Sequence, residues 1–236
     1  MKKFAVFDID GTLIRWQLYH AIVDRLAKKE LLGADAHHKL HQARMVWKQR
    51  QHPQAFRQYE LAVINEFEAA FADLDTKEFD AVTKEILDEY GDQVYVFTRD
   101  LIKDLKDKGY LLLAISGSHQ EIVKALAQKY GFDDWVGTNY QRANRRFSGH
   151  KIVASADKKA ALQSLINQHD LSLKGSLAIG DSASDGAMLQ MVEQPIAFNP
   201  DQKLYQMAKQ AGWTIVIERK NVIYQLEAKD ERYILA

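Results

Sequence analysis

The stretch Lys3-Phe-Ala-Val-Phe-Asp-Ile-Asp-Gly-Thr-Leu-Ile14 opens with an unbroken apolar run, Phe4 to Phe7. That is the pattern of a strand buried on both faces of a sheet. Asp8 and Asp10 follow, then Gly11 and Thr12. Side chains at i and i+2 of an extended strand share a face, so both carboxylates leave the strand's C-terminal end together. Gly11 permits a sharp turn there, and open α/β sheets bind ligands beyond the carboxyl ends of their strands. Two adjacent acids persist cheaply only when a cation or a shared proton relieves their repulsion. A hard divalent ion fits, because Mg²⁺ takes one or two carboxylates and leaves places for water and phosphate oxygens. A carboxylate beside such an ion can also attack phosphorus. The plainer alternative is a strand-to-loop turn rich in turn-forming residues.

Working outward, residues 16–90 show helix-period apolar spacing and no convincing strand. Leu18, Ile22 and Leu26 recur every fourth residue, Leu61, Ile64, Phe67 and Phe71 recur at helical three- and four-residue spacing, and Phe79, Val82 and Ile86 follow. Another helix is marked by Leu40, Met45 and Trp47. Four helices with short connections predict a small bundle inserted after the first strand. From about Val94 the pattern alternates strand and helix. Helices are expected over 98–108, 120–130, 158–169, 184–192 and about 203–210. Strands are expected at Leu111–Ile115, Ser176–Ile179, Pro195–Phe198 and Thr214–Ile217, with a short hairpin or irregular strands over 135–150. The alternation predicts an α/β fold, a three-layer Rossmann-like core on a parallel sheet. The tail after Asn221 is amphipathic and reads as a last helix or a fraying end.

Composition narrows the partners. The chain has 236 residues, and its 32 Lys plus Arg balance its 32 Asp plus Glu. A general nucleic-acid or membrane-surface binder would carry a basic excess, so neither partner is expected. The absence of cysteine excludes disulfides and thiolate chemistry. The N-terminus turns acidic too soon for a signal peptide, and no run of about 18 apolar residues occurs, so a cytoplasmic location is expected.

Three strand ends carry polar groups that a parallel sheet would align along one edge: Asp8 with Asp10, Ser116-Gly117-Ser118, and Asp181-Ser-Ala-Ser-Asp185. Ser116 suits phosphate oxygens at a helix start, or a plain N-cap. Asp181 would complete a cation site, and Asp185 would ligate through water or orient a lysine. Both acids would equally favour the next helix's N-terminus through its dipole. Lys158 or Lys159 would neutralise phosphate charge, although a solvated lysine is the commoner outcome at a helix start. His37 and His41 lie one helical turn apart, but no acid or cysteine completes a metal site, which favours a solvated face. Arg142, Arg145, Arg146, His150 and Lys151 form a basic stretch that would attract anions or simply face solvent, the latter favoured.

Together, Asp8-Ile-Asp-Gly-Thr12, Ser116-Gly117, Lys158 and Gly180-Asp-Ser-Ala-Ser-Asp185 resemble, in order, the four motifs of the haloacid dehalogenase (HAD) superfamily. The helical insertion resembles the type 1 cap of its phosphoserine-phosphatase-like branch. The resemblance implies a core over 1–15 and 91–236, with a helical cap over 16–90. It implies Asp8 as nucleophile and Asp10 as general acid/base. Mg²⁺ would be held by Asp8, the Asp10 backbone carbonyl and Asp181, with Asp185 in support. Ser116, Gly117 and Lys158 would bind the phosphoryl group of a small phosphorylated metabolite. That branch carries a glutamate nine residues after the nucleophile, which binds the amine of phosphoserine. Gln17 stands there in this chain, so phosphoserine is not the expected substrate, since charge-assisted bonds are the stronger kind. Arg15, Trp16, Gln17 and Tyr19 are the candidate substrate contacts. The resulting expectation is a Mg²⁺-dependent phosphatase working through an aspartyl-phosphate. A phosphotransferase to an alcohol and a non-catalytic phosphometabolite-binding protein are the alternatives.

Overall fold

The computed structural model of the chain describes residues 2–229 and 232–235. They divide into two compact units: residues 1–16, 90–138 and 153–236 form one, and 17–89 with 139–152 the other.

The first unit is built on a sheet in which β1 (Lys2–Phe7) is an inner strand. The other strands are β2 (Leu111–His119), β3 (Asp134–Ala143), β4 (Arg146–Ile152), β5 (Leu171–Gly180), β6 (Gln194–Phe198), β7 (Thr214–Arg219), β8 (Val222–Lys229) and β9 (Arg232–Leu235), of which β4 and the second half of β3 belong to the second unit. The order is β4-β3-β2-β1-β5-β6-β7-β8-β9. Pairing is parallel from β3 through β7 and antiparallel at both margins. Phe4, Ala5, Val6 and Phe7 are all fully buried, as a central strand covered on both faces requires.

Alternation along β1 divides the core into two layers. Phe4 and Val6 join Leu113, Ile115, Leu162, Leu165, Met188, Leu204 and Ile215 in one cluster. That cluster seats α7 (Lys158–Gln168), α8 (Gly186–Leu189) and α9 (Gln202–Ala211). Phe7 points the other way, edge-on to Phe132 at 5.6 Å. Ile102 and Leu105 of α5 (Val96–Asp107), with Ile122, Val123 and Leu126 of α6 (Gln120–Tyr130), are buried as well. The three-layer α/β core expected from the sequence is therefore present.

Two expectations are corrected. The tail after Asn221 forms β8 and β9 instead of a helix. Lys220 turns at φ 56°, and Tyr233 of β9 donates its hydroxyl to the carbonyls of Ala208 and Trp213, both at 2.9 Å. The apolar spacing in Val222-Ile-Tyr-Gln-Leu226 suits either period, and the tight turn between two β-branched runs decides it. The helix expected over 184–192 is only a 3-10 turn, Ala183–Asp185, followed by the four-residue α8.

The second unit holds α1 (Leu18–Lys28), α2 (Ala36–Lys48), α3 (Ala55–Ala70) and α4 (Thr76–Tyr90). Fully buried Phe67 meets Tyr140 at 5.0 Å, Phe71 at 5.9 Å, Tyr19 at 6.0 Å and Phe79 at 6.1 Å. Tyr140 and Phe147 come from the β3–β4 hairpin, so residues 139–152 share this aromatic core with the helices. The same hairpin explains the basic stretch. Arg142 grips Asp80 through two bonds of 2.6 and 2.9 Å, Arg145 reaches Asp75 at 3.0 Å, and Arg146 reaches Asp73 at 3.3 Å. Lys151 pairs with Glu68. These cations are counter-ions of the helices beside them. His37 and His41 are exposed, with ring centroids 6.5 Å apart. No helix among the described residues is long and apolar enough to cross a membrane.

Candidate active site

The strand order β2-β1-β5 sets three C-terminal strand ends side by side, all within the first unit. β1 registers Phe7 against Ala114 and Ile179, and the Asp8 amide donates to the Ile179 carbonyl at 3.0 Å. Asp8 therefore emerges level with the end of β5 and beside the stretch of β2 that leads into Ser116. The chain then coils on itself. Gly11 sits at φ 81°, a left-handed conformation that favours glycine, while the amides of Leu13 and Ile14 donate to the Ile9 carbonyl at 2.9 Å.

Five expected residues engage here through their side chains, in two groups. Lys158, buried at the start of α7, donates to Asp8 Oδ1 at 2.6 Å and to Asp185 Oδ1 at 2.5 Å. Ser116 donates its hydroxyl to Asp10 Oδ2 at 2.6 Å and accepts from the Ser118 amide at 2.9 Å. Of the two adjacent lysines, Lys158 points into the site and Lys159 is exposed. Gly117 lies against Ser155, 3.1 Å from where a Cβ would stand.

Asp185 is wholly engaged. Lys158 takes Oδ1, while Oδ2 accepts from the Asp181 amide at 3.1 Å, the Ser182 amide at 3.0 Å and the Ser182 hydroxyl at 3.1 Å. This cradle needs Gly180, where a Cβ would fall on the Asp185 carboxylate. Asp8 differs: its Oδ2 is buried with no hydrogen-bond partner. Asp8, Asp181 and Asp185 each place a carboxylate oxygen within 4.8 Å of the others. Three carboxylates against one ammonium leave excess negative charge in a dry place. Burial first, then the Asp185 and Asp10 carboxylates, push Asp8 up to about 7 against the pull of Lys158. Burial first, then the Asp8, Asp185 and Asp10 carboxylates, raise Asp181. Burial works against the Lys158 charge, but Asp185 and Asp8 outweigh it and hold the ammonium protonated. The unpartnered Asp8 oxygen and this charge imbalance fit a divalent cation, with hard oxygen donors of the kind Mg²⁺ prefers.

The candidate substrate contacts are scattered. Arg15 lies in the first unit, bonded to the Val94 carbonyl at 2.8 Å and paired with Glu218. Trp16 stacks on Tyr90 at 5.4 Å. Gln17 occupies the N-cap position of α1 without a side-chain capping bond, and the Tyr19 hydroxyl meets that of Tyr140 at 3.0 Å, both in the second unit. Two further residues with defined partners were not expected. Asp201 donates its amide to the Asp181 carbonyl at 2.8 Å and accepts the Ala183 amide on Oδ2 at 3.2 Å. Glu218 is a buried carboxylate at the end of β7. Its only signal in the sequence is a lone acid closing an apolar run.

Residues 5–190 match the family model of haloacid dehalogenase-like hydrolases. A phosphoserine phosphatase of Mycobacterium tuberculosis (strain ATCC 25618 / H37Rv) is 31% identical over 139 residues, covering 57% of this chain and 45% of that protein. The chain thus spans less than half the length of that relative. A histidinol-phosphatase of Neisseria meningitidis serogroup C (strain 8013) is 27% identical over 230 residues, covering 92% of this chain and 99% of that one. The fold also matches a solved phosphoserine phosphatase carrying an analogue of its phospho-aspartyl intermediate. The TM-score is 0.61 at 19% identity, over 93% of this chain and 94% of that one.

Proposed function

Because the chain belongs to the haloacid dehalogenase-like hydrolases, we propose that it is a Mg²⁺-dependent phosphatase of a small phosphomonoester, working through an aspartyl-phosphate on Asp8. The observation that carries this reading is the state of Asp8: one oxygen is fixed by buried Lys158, and the other is buried without a partner. A carboxylate oriented in this way suits in-line attack, for which positioning and charge neutralisation matter most.

An Asp8 oxygen attacks phosphorus, the ester P–O bond breaks, and Asp10 gives its proton to the departing alkoxide. Asp10 then takes a proton from water, whose oxygen attacks the phosphorus of the aspartyl-phosphate, releasing inorganic phosphate and restoring Asp8. Lys158, the Ser116 hydroxyl and the Gly117 backbone hold the equatorial oxygens. Ser116 donates to Asp10 in the free site, so engaging phosphate releases that carboxylate for proton transfer. Mg²⁺ would be held by Asp8, Asp181 and the Asp10 carbonyl, with Asp185 fixing their surroundings, and would supply positive charge against the phosphoryl oxygens. Residues 17–89 with 139–152 act as the substrate-selecting cap. Neutral Gln17 at the start of α1 argues against phosphoserine as substrate.

The test is phosphate release from 4-nitrophenyl phosphate, with Mg²⁺ or EDTA, for wild type and Asp8→Asn, followed by a panel of phosphomonoesters that includes phosphoserine. Turnover is expected only with Mg²⁺ and an intact Asp8, with phosphoserine among the poorer esters. A folded wild type that releases no phosphate from any ester would sink the reading.

A further inference from the structure

Glu218 carries its charge in a place where a charge needs a reason. Its side chain is 2% exposed, and both carboxylate oxygens are used: Oε1 by the Arg15 guanidinium and Oε2 by the Phe97 amide, at 2.9 Å, in the first turn of α5. An acid at a helix N-terminus is favoured by the free amides there. Arg15 adds a bond from Nε to the Val94 carbonyl at 2.8 Å and lies 4.9 Å over the Tyr95 ring. Tyr95 in turn packs edge-on against Phe198 at 4.9 Å.

These contacts close a strap made of the segments leaving and re-entering the first unit. Thr98 donates its hydroxyl to the Thr12 carbonyl at 2.9 Å, and the Tyr95 amide donates to the Leu13 carbonyl at 3.0 Å. Ile14 bridges Val94, the Arg15 amide donates to the Gln93 carbonyl at 2.8 Å, and Trp16 stacks on Tyr90. Ile14 also closes the loop that carries Asp10: it bridges Asp10 directly, and its carbonyl accepts the Gly11 amide at 2.9 Å. A continuous path therefore runs from Glu218 through Arg15 and Ile14 to Asp10.

We infer that the Arg15–Glu218 pair is a positioning clamp for Asp10, and that Arg15 serves the reaction through this pair instead of by touching substrate. The inference rests on the reading of Asp10 as the acid that protonates the leaving group. Removing Arg15 strands the buried Glu218 carboxylate, removing Glu218 frees the partly exposed guanidinium, and either change loosens the strap where the Asp10 loop is anchored.

A clamp on a general acid has a signature that loss of packing lacks. Leaving groups that depart readily need little protonation, and poor ones need much, so a displaced acid steepens the dependence on leaving group. In Glu218→Gln and Arg15→Met, kcat/KM is expected to fall about tenfold for phenyl phosphate and less than about threefold for 4-nitrophenyl phosphate. Arg15→Lys, which keeps the charge, is expected to recover some of the loss. Equal loss on both esters, or no loss on either, overturns the clamp. Hydrogen exchange of the amides over 13–16 and 93–97 supplies a second readout without turnover. Faster exchange in Glu218→Gln supports the clamp, and unchanged exchange overturns it. A wild type inert toward both esters overturns the phosphatase reading alone and leaves the exchange measurement to judge the strap.

Discussion

At the scale of single residues, the site depends on one lysine serving two carboxylates. Lys158 is held 2.6 Å from Asp8 and 2.5 Å from Asp185, all three buried. Removing the ammonium leaves those acids beside Asp181 with nothing to offset them. Lys158→Met is therefore expected to cost about 3 kcal/mol by urea denaturation in EDTA and to lower turnover by at least about a hundredfold. A stability loss in EDTA within about 0.5 kcal/mol of zero would mean that the carboxylates are already neutral. His119, fully buried at the end of β2, is the opposite case, because burial pushes its pKa from 6.5 down to about 3. Below pH 6.5 the unfolded chain takes up a proton that the folded chain refuses. The stabilisation is thus complete above pH 6.5 and is lost as the pH falls toward 3. Comparing wild type with His119→Gln across this range separates the effect from the carboxylates: the denaturation midpoint of wild type should drop more steeply with acid. Parallel curves would rule the histidine out.

At the scale of elements, legibility in the sequence followed the reach of the signal. β1 announces itself because four consecutive apolar residues need no partner to be read, and the Asp8–Asp10 spacing follows from its two-residue period. The convergence of Ser116 and Asp185 toward those acids was legible as strand ends sharing one edge, but which atoms would pair was not, since that depends on parallel register between strands over a hundred residues apart. The final β-hairpin was missed because its apolar spacing fits two periods, and Glu218 because burial is a property of neighbours. The β3–β4 hairpin shows the same limit. Its basic residues look like an anion-attracting surface until Asp73, Asp75, Asp80 and Glu68 are placed beside them. Phe67 of α3 joins that hairpin to the helices through Tyr140. Phe67→Ala should cost about 3–5 kcal/mol, measured as a lowered urea midpoint. A cost under about 1 kcal/mol would mean that the aromatic cluster repacks around the gap.

At the scale of the whole molecule, equal numbers of acidic and basic side chains conceal a local imbalance at one sheet edge. Anything that binds the folded state alone stabilises it by mass action. Mg²⁺ at about a hundred times its dissociation constant is expected to raise the melting temperature by roughly 5 °C. Asp181→Asn should abolish most of that rise, and an equal rise in the variant would place the ion elsewhere. The chain also passes between its two compact units at four points, after residues 16, 89, 138 and 152. This pattern determines what can be exchanged between relatives. A chimera that imports a foreign segment for 17–89 alone would leave Tyr140 and Phe147 without Phe67, Phe71 and Phe79, and four cations without their acids. The second unit is therefore split in the gene, and a change made in its helices must be matched in a hairpin encoded fifty residues downstream.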